Sequence, residues 1–265
     1  MWAHPKGWSG SELIGGTMGD PNTEIGGDGR QLPVTSHTAL ASIKAGSPGR
    51  RDAELERLVQ LYWKPVYHLV RRARSASNED AKDLTQDFFA EVVLKDGFAE
   101  RYARERGSFR AYLKGALHNF LSKSARDSAR EKRGGGVRIS SLRIGRGDLD
   151  EILPDEQALR PEEVFDRSWR RIVLARASEA LRERLASQGK STYFEVFRRY
   201  DLAAEEGPVS YETVARELRL STDDVKNYLT RAREEFRQAV RAVLCESVSS
   251  PEDLSAEWEA LFGGA

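Results

Sequence analysis

The sequence is poor in the residues that form disulfides and metal sites. Its 265 residues include one cysteine, Cys245, and four histidines that stand far apart. A single cysteine excludes an internal disulfide and a cysteine-rich zinc site, and the scattered histidines lack metal-ligand spacing. The sequence therefore predicts no bound metal and no cofactor.

Long apolar runs and an excess of either charge are also missing. No run approaches the roughly 20 apolar residues that a membrane-spanning helix needs, and there is no signal-peptide core. We expect a soluble, cytoplasmic protein without a membrane partner. The 42 basic residues equal the 42 acidic ones, which argues against a uniformly basic protein. Nucleic-acid binding stays open, because the charges are segregated along the chain.

The composition favours helices over sheets. The chain is rich in Arg, Glu, Ala and Leu, and 39% hydrophobic with 32% charged residues suits small helical domains. The predicted fold class is all-α, with two small helical domains joined by an extended linker. The predicted order is a disordered tail at 1–35, a helical domain at 36–133, the linker at 134–160, a second helical domain at 161–247 and a C-terminal helix within 248–265.

Two stripes of apolar residues predict long helices on either side of the linker. The first runs from Leu55 to Val70, and Pro65 within it is expected to kink or divide the helix. The second runs from Trp169 to Leu185, and Gly189 is expected to end it.

An amphipathic helix with an acidic edge is predicted next to the first stripe. Leu84, Phe88 and Val92 recur at four-residue spacing, which places them on one face of a helix. The other faces receive the polar and acidic residues Asp80, Asp83, Gln86, Asp87 and Glu91.

The segment that follows has a positive net charge. Residues 101–133 contain ten basic side chains and three acidic ones, and rings are interleaved at Phe98, Tyr102, Phe109, Tyr112 and Phe120. Positive charge that follows phosphates, together with rings on which bases stack, is typical of single-strand binding. The alternative interpretation is a solvated helix face whose rings belong to the core.

Residues 209–233 have the spacing of a helix-turn-helix. A short helix ends near Leu218, Leu220 and Ser221 form the turn, and Ser221 with Asp224 forms a capping box for the next helix. That helix is expected to bury its apolar face and to present Lys226, Asn227, Thr230, Arg231 and Arg233 outward. Such side chains bond to bases and phosphates in the major groove. A plain helical hairpin is the alternative.

Together these segments resemble bacterial RNA polymerase sigma factors of the extracytoplasmic-function group. Asp83–Phe89 resembles a helix of region two, Ser108–Asn119 resembles the promoter-melting part of that region, and Val209–Phe236 resembles the helix-turn-helix of region four. Lys132–Gly136 and Val248–Phe262 are similar to a subgroup with a glycine-rich linker and a short C-terminal extension.

The resemblance implies a sigma factor, which is not an enzyme and lends promoter recognition and melting to core RNA polymerase. The residues implied at the clamp helices of the polymerase β′ subunit are Asp80, Asp83, Gln86, Asp87 and Phe89. Those implied at the minus-ten element are Arg110, Tyr112, Asn119, Lys123, Arg126 and Arg130. Those implied at the minus-thirty-five element are Ser221, Lys226, Asn227, Thr230, Arg231 and Arg233. The second domain is implied to sit on the flap of the β subunit, and an anti-sigma factor is a further candidate partner.

Three positions depart from the family pattern. Tyr112 stands where many relatives have Trp, Lys123 where Asp is common, and Thr230 where His is frequent. These differences bear on which promoter is read.

Two other functions stay open from the sequence. A helix-turn-helix regulator normally dimerises to match paired half-sites, and no clear heptad seam is present. A metal-dependent nucleic-acid-processing enzyme needs clustered carboxylates, and Asp83 and Asp87 lie one helical turn apart. The segregated charge leads to one more hypothesis, that the acidic segment 148–163 covers the basic face when polymerase is absent.

Overall fold

The structure is a computed structural model that describes residues 48–95, 97–98, 101–102, 108–131, 158–202, 209–248 and 250–262. The side chains of 48–54 and 128–131 are outside this description, as are the predicted tail at 1–35 and most of the predicted linker at 134–160. Within the described ranges every regular element is helical and no strand occurs. The predicted all-α fold class is confirmed.

The described part of the chain contains eight α-helices. They are α1 (Pro48–Arg74), α2 (Asn78–Phe88), α3 (Phe109–Glu131), α4 (Pro161–Ser187), α5 (Ser191–Phe197), α6 (Tyr211–Leu218), α7 (Thr222–Leu244) and α8 (Pro251–Phe262). Two continue into short π-helical turns, α2 at Phe89–Val93 and α5 at Arg198–Leu202. Among these helices none is both long and apolar enough to cross a membrane.

The chain divides into two compact units. Of the described residues, 48–172 and 245–253 form the first unit, and 173–244 and 254–262 form the second. The division falls inside α4, between Ile172 and Val173, and not at the predicted domain start at residue 161.

Pro65 lies inside α1, but the helix runs unbroken from Pro48 to Arg74. Of the two predicted effects of this proline, a kink or a division, the division does not occur. A proline inside a helix removes one backbone hydrogen bond and costs about 3 kcal/mol. Leu61 before it and Val66 and Leu69 after it are fully buried, so packing on both sides offsets that cost.

The buried face of α2 differs from the four-residue series in the sequence. Ala81, Thr85 and Phe88 are fully buried, whereas Leu84 is only half-buried. After Phe88 the backbone widens into the π-helical turn, which adds a residue to the turn and shifts the register. Phe89 lies beside Phe88 in the core, with the two ring centroids 5.5 Å apart.

Aromatic rings join the helices of the first unit. Trp63 of α1 stacks on Phe89 with ring centroids 5.4 Å apart, and Tyr62 meets the edge of Phe109 at 5.8 Å. Phe165, in the first turns of α4, stacks on Tyr62 at 6.3 Å. The start of α4 is therefore part of the core of the first unit, which explains why the division between the units lies beyond it.

The second unit is built around α7. The second half of α4 buries Leu181 and Leu185 along the predicted stripe. Gly189, with φ of +69°, follows the helix end, as predicted. Phe197 of α5 and Phe236 of α7 meet with ring centroids 5.0 Å apart. These contacts hold α5 and α7 together, and α7 also packs on α6.

The C-terminal helix α8 docks through its apolar face. Leu254, Trp258 and Leu261 are buried, and the Arg241 guanidinium of α7 lies 4.8 Å from the centre of the Trp258 ring. An isolated helix of 12 residues is marginal in water, so this packing stabilises it.

A buried histidine links the stability of the first unit to pH. His68 of α1 is buried, and its Nδ1 has no hydrogen-bond partner among the described residues. Burial, with the nearby charges of Arg171, Lys64 and Arg71, lowers the pKa of His68 from 6.5 to about 4. The folded unit therefore contains the neutral imidazole at physiological pH.

We expect His68 to destabilise the first unit as the pH falls from 6.5 towards 4. In this window the unfolded chain binds a proton that the folded chain does not, so stability decreases. Between pH 7 and 4.5 this single group should contribute a loss of about 2.5 kcal/mol in the free energy of unfolding. Urea unfolding at both pH values measures the loss, and His68→Leu should reduce it by that amount. An unchanged pH dependence in His68→Leu would show that other groups are responsible.

Candidate nucleic-acid interface

The acidic edge of α2 starts at a capped helix end. Ser77 Oγ accepts a hydrogen bond from the Asp80 backbone N–H at 3.1 Å and donates one to Asp80 Oδ2 at 2.7 Å. Asp80 thus stabilises the first turn. Asp80, Asp83 and Asp87 are exposed, and Gln86 is half-buried. Because the three carboxylates are three and four residues apart, they share one edge of α2 that a partner can reach.

Phe89 does not belong to that edge. Its side chain is 1% exposed and stacks on Trp63. Its side chain therefore does not form part of the surface that the sequence predicts for polymerase, because it packs in the core of the first unit. Phe89 instead joins the end of α2 to α1 through its contact with Trp63.

The N-terminal part of α3 presents a row of basic side chains. Ser108 Oγ accepts a hydrogen bond from the Ala111 N–H at 3.2 Å, so Ser108 caps the helix as predicted. Arg110, Lys114 and His118 follow at four-residue spacing and therefore lie on one face.

This row is paired with acidic residues at the start of α4. Arg110 Nη1 donates to Asp166 Oδ1 at 2.7 Å, and Lys114 Nζ lies 3.0 Å from both oxygens of that carboxylate. His118 Nε2 lies 2.8 Å from Glu162 Oε1. Arg110, which the sequence predicts at DNA, is thus occupied by a carboxylate of its own chain.

The C-terminal part of α3 is more open. Asn119, Lys123 and Arg126 are exposed, and Arg126 Nε donates to the Ser122 carbonyl at 3.2 Å. Arg130 belongs to α3, but its side chain is outside the described residues. Among the predicted DNA contacts of this helix whose side chains are described, Asn119, Lys123 and Arg126 are therefore the exposed ones.

The rings of the basic segment form a cluster within the first unit. Phe98, Tyr102 and Phe109 are buried, and the rings of Phe98 and Tyr112 lie 4.9 Å apart. Tyr112 is half-buried, and its hydroxyl donates to the Phe98 carbonyl at 3.1 Å. Phe120 is also half-buried. The structure therefore favours the core interpretation of these rings over a stacking surface for bases.

In the second unit, α6 and α7 follow each other with the short turn of a helix-turn-helix. Arg219, with φ of +56°, ends α6, and the Leu220 N–H donates to the Ala215 carbonyl at 2.9 Å. Ser221 Oγ accepts from the Asp224 N–H at 3.0 Å and donates to Asp224 Oδ2 at 2.6 Å. The predicted capping box at the start of α7 is confirmed.

The first turns of α7 carry an exposed polar row. Ser221, Lys226, Asn227, Thr230 and Arg231 are exposed. Within the row, Thr230 Oγ1 donates to the Lys226 carbonyl at 2.9 Å. At its end, Arg231 Nε donates to Glu235 Oε1, one helical turn further on, at 2.8 Å. The opposite face is buried at every predicted apolar position, namely Val225, Leu229, Ala232, Phe236, Val240 and Val243.

Arg233 does not share that exposed row. Its side chain is 8% exposed and forms a bidentate ion pair with the fully buried Asp201, at 2.9 and 2.7 Å. The guanidinium also lies 5.6 Å from the centre of the Tyr200 ring. Burial raises the pKa of Asp201, while the Arg233 guanidinium opposes that rise. The prediction that α7 presents Arg233 outward is therefore wrong, because the position faces α5 and its π-helical turn.

Sequence reasoning did not select Lys114, Asp166 or Asp201. Lys114 lies one helical turn after Arg110, and that spacing was a usable signal. Asp166 and Asp201 lie 56 and 32 residues from the arginines they bind, so no local pattern identifies them.

The described ranges contain no cluster of side chains suited to bind a metal ion. No group of three or more His, Cys, Asp and Glu side chains there is placed to hold a metal ion. The Asp83 and Asp87 pair thus gains no further ligand from the described residues.

Comparison with known proteins gives no relative. No protein-family model, no curated protein and no solved structure matches the chain. Function is therefore inferred from the residues and their placement.

We expect Asp201→Asn to lower the free energy of unfolding by about 3–5 kcal/mol, because it leaves the buried Arg233 charge without its counter-ion. Chemical denaturation of the full chain, followed by circular dichroism, measures the change. Asp223→Asn is the matched control, since Asp223 is exposed on α7 and pairs only loosely with Lys226 at 3.5 Å. Equal effects of the two substitutions would contradict a stabilising role for the buried pair.

Proposed function

We propose that this chain is a sigma factor that binds core RNA polymerase and directs transcription initiation at specific promoters. One observation carries the proposal. A capped helix-turn-helix with an exposed polar row occurs in one unit, and a separate unit exposes an acidic helix edge beside a basic helix. The same segments, in the same order, are those that resemble the two promoter-binding regions of sigma factors.

In this proposal the acidic edge of α2 docks on the clamp helices of the β′ subunit. Asp83 and Asp87 are exposed one turn apart, and Gln86 lies between them at the surface boundary. Carboxylates at this spacing suit a partner with basic side chains, which charge complementarity both orients and attracts. Asp80 adds charge while it caps the helix, and Phe89 holds α2 in place from the core.

The basic helix α3 contacts the minus-ten element. Lys123 and Arg126 are suited to phosphates, and the Asn119 amide can pair with a base edge. Extruding a base costs a few kcal/mol, which pocket and backbone contacts must offset. Tyr112 contributes by holding the segment at Phe98 through its hydroxyl.

The second unit reads the minus-thirty-five element through α7. Lys226, Asn227, Thr230 and Arg231 lie in its first three turns, the part that reaches base edges in a helix-turn-helix. Ser221 caps the helix and stands next to the phosphate backbone. The same unit sits on the β flap in this proposal, and an anti-sigma factor would compete for either surface. Polymerase performs the chemistry, so no catalytic residue, metal or cofactor is assigned to this chain.

The test is binding of the purified full chain to bacterial core RNA polymerase. We expect a stable complex and discrete start sites in transcription from a fragment library. Asp83→Arg should weaken the complex by about 2 kcal/mol, or roughly thirty-fold in Kd, because it places like charges together. Fluorescence anisotropy with labelled protein measures the Kd.

Glu183→Arg is the matched control, since it makes the same charge change at an exposed position of α4. The proposal fails if Asp83→Arg and Glu183→Arg weaken binding equally, or if the native chain does not bind core. Specific duplex binding by a dimer without core would indicate an ordinary helix-turn-helix regulator, whose reading helix would be the same α7.

A further inference from the structure

The first turns of α4 offer the basic row of α3 both a carboxylate and an aromatic ring. Asp166 binds Arg110 and Lys114, as described above. On the same helix face, one turn further on, Trp169 lies with its ring centre 4.2 Å from the Arg110 guanidinium carbon. Phe165 likewise lies 5.5 Å from Lys114 Nζ.

These are the two interactions that a nucleotide offers to an arginine. Phosphate oxygens accept from the guanidinium, and a base stacks on its plane. The start of α4 supplies an oxygen pair and a ring in their place. The carboxylate of Asp166 also serves two cations at once, as a bridging phosphate would.

The rings and the carboxylate differ in how firmly they are held. Phe165 and Trp169 are fully buried, so they anchor the helix to the first unit. Asp166 is 29% exposed, and the side chains of Arg110 and Lys114 are 12% and 21% exposed. The carboxylate therefore lies at the solvent edge of the contact, where an incoming phosphate can replace it without removing the helix.

We propose that Asp166 is an internal phosphate mimic that occupies Arg110 and Lys114 in the free protein and thereby weakens nucleic-acid binding by α3. This inference rests on the proposed function, because it assumes that α3 binds promoter DNA. It also sharpens the hypothesis that the acidic segment 148–163 covers the basic face. The covering residue identified here lies beyond that segment, of which the structure describes 158–163, and Glu162 in that range lies 2.8 Å from His118.

The experiment measures binding of a fluorescein-labelled mixed-sequence single-stranded oligonucleotide to the full chain. At low salt, Asp166→Asn should bind on the order of ten-fold more tightly, because it makes one or two further phosphate contacts available. The slope of log K against log salt concentration should become steeper by about 0.7 for each added contact. Both values should return to those of the native chain in Arg110→Ala/Lys114→Ala/Asp166→Asn.

Glu183→Gln is the control for net charge, since it removes one exposed negative charge from the same helix. It should leave affinity and slope unchanged. A gain in Glu183→Gln equal to that in Asp166→Asn would overturn the proposal. So would a gain in Asp166→Asn that persists after Arg110 and Lys114 are replaced.

A second variant keeps the test decisive if Asp166→Asn folds poorly. Arg110→Ala alone should change the affinity of the free protein less than two-fold, because Arg110 is already occupied. A loss as large as that in Arg126→Ala would overturn the proposal. One combination of results would overturn the phosphate mimic alone. In it, Arg126→Ala weakens binding, Asp166→Asn does not strengthen it, and Arg110→Ala weakens it as much as Arg126→Ala does. If neither Lys123→Ala nor Arg126→Ala weakens binding, the assigned role of α3 fails as well.

Discussion

Two cations of α3 share one carboxylate of α4, and this contact determines which charges the first unit exposes. Asp166 neutralises Arg110 and Lys114 at hydrogen-bond distance, while Phe165 and Trp169 bury their rings in the same turns. Burying a large apolar side chain contributes roughly 1.5–3 kcal/mol, more than a partly exposed ion pair does. The rings therefore hold the helix in place, and the carboxylate sets the charge pattern beside it. This separation allows the charge pattern to change without loss of the fold.

The second unit also pairs an arginine with an aspartate, but there the ion pair stabilises the core. Arg233 binds Asp201 with two parallel hydrogen bonds inside the core, where no phosphate can reach it. Its position explains this, because it follows Ala232 and precedes Phe236 by three residues, at the border of the buried face of α7. Arg231, two residues earlier, is exposed and pairs with Glu235 on its own helix at 2.8 Å. An arginine in a reading helix can therefore hold the helix in place, and only its register relative to the apolar face distinguishes the two roles.

Features that depend on neighbours within four residues could be predicted from the sequence. The capping box of Ser221 and Asp224, the cap at Ser108 and the helix end before Gly189 are examples. Features that depend on distant residues could not. The packing of Phe89 on Trp63 and the packing that carries α1 through Pro65 are tertiary contacts, which override local preference. The occupation of Arg110 depends on a residue 56 positions away, and no spacing rule reports it.

The use of the aromatic rings limits how the proposed sigma factor opens DNA. Phe98, Tyr102 and Phe109 belong to the core, and Tyr112 rests against Phe98 with its hydroxyl bonded to that backbone. The exposed predicted contacts of α3, Asn119, Lys123 and Arg126, are polar or charged, so they suit phosphates and base edges better than base faces. Unstacking a base costs a few kcal/mol, and since the described rings of this segment are buried or half-buried, we expect much of that energy to come from other contacts. In the proposed role, contacts made by core polymerase and by the cations of α3 offset the free energy of unstacking. Each cation released from Asp166 would add a phosphate contact to these.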